Sequence, residues 1–382
     1  MNDIQSKLPK VGTTIFTVMS KMASDFDAIN LSQGFPDFPV SEKLIDLVYQ
    51  NMQIGHNQYA PMPGLPKLRE AIAKKVSNTG GVDLNIETEI TVTAGATEAI
   101  FSSVLATVHS GDEVIVLEPA YDCYIPAIEL AGGKPIPVSL NPENFTPDWE
   151  KVKNSITDKT RMLIINFPHN PSGAILRDDD IATLKEILEG NPKLIVLSDE
   201  VYEHIIFDKE THLSVLKDEF LASRSIAVSS FGKTFHATGW KIGYMVAPEA
   251  IMKEIRKVHQ YNCFSVHTPS QYAMAEYLQD EKNYLGVSGM YEKKRNFFQQ
   301  AIKDSKFKVI PSYGTYFQLL DFSEVTDMPD LEFAQYLIKE KGLASIPVSA
   351  FYSENQDHHL LRFCFAKGEE TLQKAADILC KI

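Results

Sequence analysis

Seven short runs rich in branched aliphatic residues recur through the middle of the chain, and they restrict its fold more than any other feature. ITVTA, DEVIVLEP, KPIPVSL, RMLIINFP, KLIVLSDE, SIAVSSFG and KIGYMVAP succeed one another between residues 90 and 248. Runs of this kind, apolar through their centres rather than alternating, are what a sheet covered on both faces requires. Segments with helical spacing, such as ATEAIFSSVLATV and DDDIATLKEILEG, lie between most of them, and LPKLREAIAKKV precedes the first. The alternation predicts a large α/β domain on a seven-stranded, mostly parallel sheet.

After residue 285 the character changes. A charged amphipathic helix, YEKKRNFFQQAIKDS, leads into KVIPSYGTYFQLLD, LEFAQYLIKEKG, ASIPVSAF, LLRFCFAK and EETLQKAADILCKI. That mixture reads as a smaller α+β domain. The first 39 residues have no core of their own and are expected to pack with it, giving a large domain over 40–286 and a small one from 1–39 with 287–382.

The formal net charge of −13 argues against nucleic acid or an anionic membrane as a partner, so an anionic ligand would need a local basic pocket. Cys123, Cys263, Cys364 and Cys380 form no C-x-x-C pair and no metal-ligand spacing; they read as reduced thiols with a packing role. The histidine pairs Glu203-His204 and His358-His359 also lack partners at ligand spacing, so no metal is expected. MNDIQSKLPKVGTTIF lacks a basic start followed by an apolar run, and no apolar stretch approaches membrane-spanning length. The expectation is a cytoplasmic protein.

In open α/β sheets ligands bind at the carboxyl ends of strands, which makes the residues just after each run the ones to inspect. Ala94-Gly95-Ala96-Thr97-Glu98 comes after ITVT and opens a helix, where small residues let backbone N–H groups approach an anion. An ordinary strand-to-helix turn is the competing reading. Asn170-Pro171-Ser172-Gly173 comes after RMLIINFPH and reads equally as a turn. Asp199, Glu200 and Tyr202 come after KLIVLS, and an Asp there is also a helix cap. Ser230 and Lys233 come after SIAVS, and SSFGKTFHATGWKIGY places a second lysine, Lys241, close behind. One polar cluster per strand end is harder to explain as a set of turns. An anion cradle, a carboxylate, a tyrosine and a lysine together suggest a phosphorylated cofactor that reacts with an amine. Neither G-x-x-x-x-G-K-[ST] nor a G-x-G-x-x-G after a strand is present.

Ser230-x-x-Lys233 followed by Gly239-Trp240-Lys241-Ile242-Gly243 resembles the cofactor-lysine signature of class I, fold type I, pyridoxal-phosphate aminotransferases. The resemblance runs nearly end to end, through LSQGFPDF, NQYAPMPGLPKLREAI, TVTAGATEA, EPAYDCY, HNPSG, SDEVYEH, IPVSAFYS and LRFCFAK. These stretches are shared by the methionine and kynurenine/glutamine aminotransferase subgroup, with SSFGKT, TVTAGATEA and NQYAPM most similar to the methionine aminotransferases. The resemblance implies pyridoxal 5'-phosphate as cofactor, with Lys233 as its covalent attachment point. Lys241, Ser230 and the backbone of Ala96 and Thr97 match the phosphate contacts, and Tyr59 matches a tyrosine from the neighbouring subunit of a homodimer. Asp199 matches the carboxylate on the ring nitrogen, Asn170 and Tyr202 the donors to the ring oxygen, and Tyr121 the aromatic on the ring face. Arg362 and the backbone of Gly34 match the contacts to the substrate carboxylate. A planar guanidinium fork suits bidentate carboxylate recognition.

By the same resemblance Phe16 and Phe264, with Tyr313, line the side-chain pocket. Aspartate aminotransferases carry a second arginine near the region matching HQYNCFSVHTP, where this chain has Tyr261 and Phe264 and no arginine. Aromatic walls suit a thioether or a ring, although plain core packing explains them too. The implied activity is transfer of the amino group of methionine, or another apolar or aromatic amino acid, to a 2-oxo acid. Kynurenine or glutamine transamination, β-elimination from cysteine S-conjugates and a non-catalytic regulator remain open alternatives. The regulator usually carries an added DNA-binding domain.

Overall fold

The structure is a computed structural model that describes residues 4–382. A two-residue strand, β1 (Ile29–Asn30), precedes the large sheet. That sheet consists of β2 (Ile90–Thr93), β3 (Glu113–Glu118), β4 (Lys134–Ser139), β5 (Thr160–Asn166), β6 (Ile195–Asp199), β7 (Ser225–Ser230) and β8 (Gly243–Val246), in the order β2-β8-β7-β6-β5-β3-β4. All seven apolar runs are therefore strands of one sheet. β8 runs antiparallel to both of its neighbours, and the remaining pairs are parallel. Alternate side chains feed opposite faces, as the pleat demands. Val114 and Val116 pack with Ile100 and Val104 of the helix Ala96–Thr107, and with Met252 and Ile255 of the helix Glu249–Asn262. Ile115 and Leu117 pack on the other face with Leu68 and Ile72, and with Leu184 and Leu188. β4 is an edge strand, which is why it tolerates Pro135 and Pro137, residues with no N–H to donate.

Beyond residue 300 come the strands β9 (Lys308–Val309), β10 (Phe317–Asp321), β11 (Leu343–Ala344), β12 (Ile346–Pro347) and β13 (Leu360–Cys364). Four of them form an antiparallel sheet in the order β12-β13-β10-β9, while β11 pairs in parallel with β1. A separate core of Phe298, Phe317, Leu320, Phe363 and Leu372 lies here, and Met19, Ala23 and Leu31 join it. Each fully buried Phe or Leu contributes roughly 1.5–3 kcal/mol, so this core has the means to hold the amino-terminal segment in place.

Two consequences of this topology matter for the site. The parallel strands β5, β6 and β7 all end at one edge of the large sheet. The antiparallel strand β8 starts at that same edge, so the residues before it, Lys241 among them, arrive there as well. Among the described residues, no helix is long and apolar enough to cross a membrane. All four cysteines are free.

Candidate active site

At the carboxyl edge of the large sheet lies a cavity of about 320 Å³. It is lined by Ala96, Thr97, Tyr121, Asn170, Asp199, Tyr202, Ser230, Lys233 and Lys241 from the large sheet's side, and by Phe16, Gly34 and Arg362 from the other. Three cations face a single carboxylate in this cavity, although the chain carries a net charge of −13. The local basic pocket that an anion needs is therefore present.

Each residue is brought in by a distinct piece of backbone. Lys233 sits in a one-turn helix, Phe231–Thr234, directly after β7. Lys241 adopts a left-handed conformation (φ 53°) just before β8. Gly95, at φ 80°, precedes the helix Ala96–Thr107, and a Cβ built on it would lie 3.4 Å from Lys241 Nζ. The absence of a side chain there leaves the lysine amine close to the helix's free backbone N–H groups, the arrangement of an anion cup. Asn170 is held by the turn around it. His169 Nε2 donates to Pro119 O at 2.9 Å, which leaves Nδ1 to accept from Ser172 Oγ at 2.6 Å. Burial pushes His169 down to about 4, so this clasp is neutral at pH 7.

Lys233 Nζ donates to Tyr316 Oη at 3.0 Å and to Gly34 O at 3.3 Å, and Tyr316 Oη in turn donates to Gly34 O at 2.6 Å. Burial lowers Lys233 to about 8, with the charges of Arg362 and Lys241 adding to the effect. Asp199 is raised to about 6 by burial, against the opposing hydrogen bond from Tyr124. Its Oδ2 accepts from Tyr124 Oη at 2.6 Å and its Oδ1 from Val201 N at 3.2 Å. A half-buried amine and a buried carboxyl therefore share the cavity with their affinities for the proton drawn towards each other.

Arg362 projects from β13 and is 1% exposed. Its Nη1 donates to Asn170 Oδ1 at 2.9 Å and its Nη2 to Ser32 O at 3.0 Å. The bond to Oδ1 orients the Asn170 amide so that its NH₂ points away from the guanidinium. The guanidinium carbon lies 3.9 Å from the Phe317 ring centroid, with the Phe16 and Phe351 rings at 5.2 and 5.1 Å. Burial brings Arg362 down to about 10. Nε is buried without a partner among the described residues.

Three residues expected near a ligand lie outside this cavity. Tyr59 is 81% exposed and packs edge-to-face on Phe264 at 5.2 Å, and Phe264 itself is 38% exposed. Tyr313 lies under the Arg177 guanidinium at 5.1 Å. Conversely, Tyr124, Tyr316, Asn166 and Phe317 take part in the site, and neither the strand-end pattern nor the family resemblance points to them. No periodicity marks Tyr124, because the helix Tyr124–Leu130 begins at it and Tyr121 lies outside that helix.

The family model described as aminotransferase class I and II matches residues 27–379. The chain belongs to this aminotransferase family. The methionine aminotransferase of Escherichia coli (strain K12) is 48% identical to it over 376 residues, covering 98% of this chain and 97% of the relative. A solved structure from Escherichia coli, described as identifying a methionine aminotransferase function, superposes with a TM-score of 0.98 at 47% identity and covers both chains completely. Human kynurenine–oxoglutarate transaminase 1 is 34% identical over 397 residues, covering 94% of each chain. The cavity of this aminotransferase thus sits in the fold that the family shares throughout its length.

Proposed function

We propose that this aminotransferase uses pyridoxal 5'-phosphate to move the amino group of methionine, and of other apolar or aromatic amino acids, to a 2-oxo acid by a ping-pong route. The observation that carries the reading is Lys233: a half-buried amine with a lowered proton affinity, in one cavity with Asp199 and Arg362. The cavity also fits the cofactor. The backbone of Gly95, Ala96 and Thr97 opens a 12-residue helix beside Lys241 and Ser230, which suits a phosphate. Asp199 suits a protonated ring nitrogen, Tyr121 a ring face, and the Asn170 amide with the Tyr202 hydroxyl a ring oxygen.

When bound, the cofactor supplies an electron-withdrawing ring that makes the substrate α-proton acidic. Lowering Lys233 to about 8 gives its Nζ a larger neutral fraction near neutral pH than an ordinary lysine has, and in that neutral form it can take the proton from Cα and pass it on inside the site. Positioned proton transfer of this sort contributes roughly 10²–10⁴-fold in rate. Asp199 holds its charge through Tyr124 and Val201 and stabilises positive charge opposite it. Arg362 binds the substrate α-carboxylate and orients Cα towards Lys233. No second arginine lines the cavity among the described residues, while Phe16 and Phe317 do, which favours an apolar or thioether side chain over a dicarboxylate.

We further propose that residues 40–286 form the cofactor domain and that 1–39 with 287–382 form the smaller domain closing on it. A homodimer with shared sites, placing Tyr59 and Phe264 at the neighbouring subunit's cavity, gives these exposed aromatics a role. A cytoplasmic location agrees with four unpaired thiols. Kynurenine transamination and β-elimination are the second reading, favoured by the same aromatic walls. Borohydride reduction followed by peptide mapping tests the cofactor assignment, with a pyridoxyl group expected on Lys233. Product analysis with methionine and with a cysteine S-conjugate tests the reaction: a 2-oxo acid that keeps the substrate skeleton means transamination, and pyruvate with ammonia means elimination.

A further inference from the structure

Behind the cup that faces the cavity, three potential ligands from two helices converge. Glu98 is in the first turn of the helix Ala96–Thr107. His259 lies in the last turn of the helix Glu249–Asn262, with Cys263 four residues later at its cap. The ligand atoms of all three lie within 4.8 Å of one another. His259 is fully buried, whereas Cys263 is only partly so.

We propose that Glu98, His259 and Cys263 form a binding site for a thiophilic divalent cation such as Zn²⁺, and that filling it weakens the anion cup. The orientation of His259 points to a ligand role. Its Nε2 lies 3.2 Å from Met62 O, a carbonyl that can only accept, so Nε2 carries a hydrogen. Nδ1 then faces Glu98 Oε1 at 2.9 Å, and only a proton or another cation between them makes that contact favourable. A ring nitrogen fixed by donation of the other to a backbone carbonyl is the usual outer support of a metal-bound histidine. Nitrogen, carboxylate oxygen and thiolate sulfur form a donor set suited to Zn²⁺ or Cd²⁺, and the partly exposed side leaves room for a water as the fourth ligand. Bonds of about 2.0–2.1 Å to nitrogen and oxygen require those two atoms to separate to roughly 3.3 Å, a shift of a few tenths of an ångström. On binding, the Nδ1 and Sγ protons leave to solvent and the cation takes their places. No sequence spacing reveals the site because Glu98 stands 161 residues before His259.

The cost falls on the cup. Glu98 Oε2 accepts from Ala94 N at 3.2 Å, and Oε1 accepts from Ser102 Oγ at 2.6 Å. Pulling the carboxylate towards a cation loosens the bond to Ala94, next to Gly95 and Ala96 in the cup, and displaces Cys263 beside Phe264. This second half of the inference rests on the aminotransferase reading above; the binding half does not.

Cadmium titration of the purified holoenzyme, followed by calorimetry and by ultraviolet thiolate-to-metal absorbance, tests both halves. Cys380 is the exposed thiol that could mimic the signal, so Cys380→Ser serves as the control. The expected result is one more bound cation per chain in the wild type and in Cys380→Ser than in Cys263→Ser, with the thiolate band lost only in Cys263→Ser. Equal stoichiometry and an unchanged band in Cys263→Ser would overturn the site. Activity is then read with and without the cation. A loss in the wild type that a chelator reverses and that Cys263→Ser escapes supports the coupling, and an unaffected wild type with the cation bound refutes it. Failure of the aminotransferase reading shows separately, as absence of turnover in the metal-free wild type.

Discussion

Tyr124→Phe is an informative perturbation because it removes one oxygen and leaves the packing in place. Tyr124 is 2% exposed and donates to Asp199 Oδ2 at 2.6 Å. A hydrogen bond to a charged group is worth about 1.5–3 kcal/mol. At 1.36 kcal/mol per pKa unit, its loss lifts Asp199 from about 6 by roughly one to two units, to neutrality or above. In the cofactor-free protein the sign comes from burial. Asp199 binds its proton more tightly folded than unfolded, so its contribution to stability is complete below the unfolded value of 3.8 and is lost as the pH rises through about 6. In the variant that loss extends to higher pH. Infrared titration of the carboxyl stretch, assigned with Asp199→Asn, should show the upward shift. With cofactor bound, the same energy corresponds to a fall of roughly 10- to 150-fold in the half-reaction rate. An unchanged carboxyl titration together with a rate within twofold of wild type would refute the coupling between Tyr124 and Asp199.

Three other perturbations have outcomes set by the geometry. Lys233 is lowered from 10.5 to about 8, a penalty of about 3 kcal/mol that applies fully below pH 8 and is relieved as the pH rises towards 10.5; Lys233→Met should therefore stabilise the cofactor-free protein at pH 7 by up to that amount in urea unfolding while abolishing turnover. A destabilised Lys233→Met protein would contradict the burial argument. Arg362→Lys keeps the charge but loses the fork that engages Asn170 and Ser32, so kcat/KM should fall by about 10²-fold or more across all amino acids, measured by steady-state kinetics. Lys75 Nζ bonds Glu203 Oε2 at 2.6 Å and Tyr244 Oη at 2.7 Å in a buried network just behind Tyr202. Lys75→Met should cost about 3–5 kcal/mol in denaturant unfolding, and adding Glu203→Leu should recover part of it.

The large sheet was legible because every one of its strands is a short apolar run, and a both-faces-covered strand requires such a run. The residues after β2, β5, β6 and β7 could be singled out because these four strands run in the same direction and deliver the residues at their carboxyl ends to the ligand edge. Lys241 escapes that rule, since it precedes its strand, and only the antiparallel direction of β8 brings it to the cavity. Its place came from the resemblance and not from the pattern. Tyr124 and Tyr316 were invisible because their importance lies in which oxygen each touches, and neither a periodicity nor a turn signal encodes that. Tyr316 bridges Gly34 and Lys233 across 282 and 83 residues of chain. Tyr59 and Phe264 illustrate the opposite case: the sequence singles them out, and the single chain leaves them on its surface, paired with each other.

The most direct test is a half-reaction with purified enzyme and no oxo acid. L-Methionine, L-kynurenine, L-glutamine, L-phenylalanine and L-aspartate would be added separately, with bound cofactor and products tracked by absorbance and mass spectrometry. The predicted result is conversion to pyridoxamine phosphate, fastest with methionine and slowest with aspartate. Fast conversion by aspartate alone would contradict the aromatic, single-arginine pocket, and no change with any amino acid would contradict the assignment of Lys233 itself.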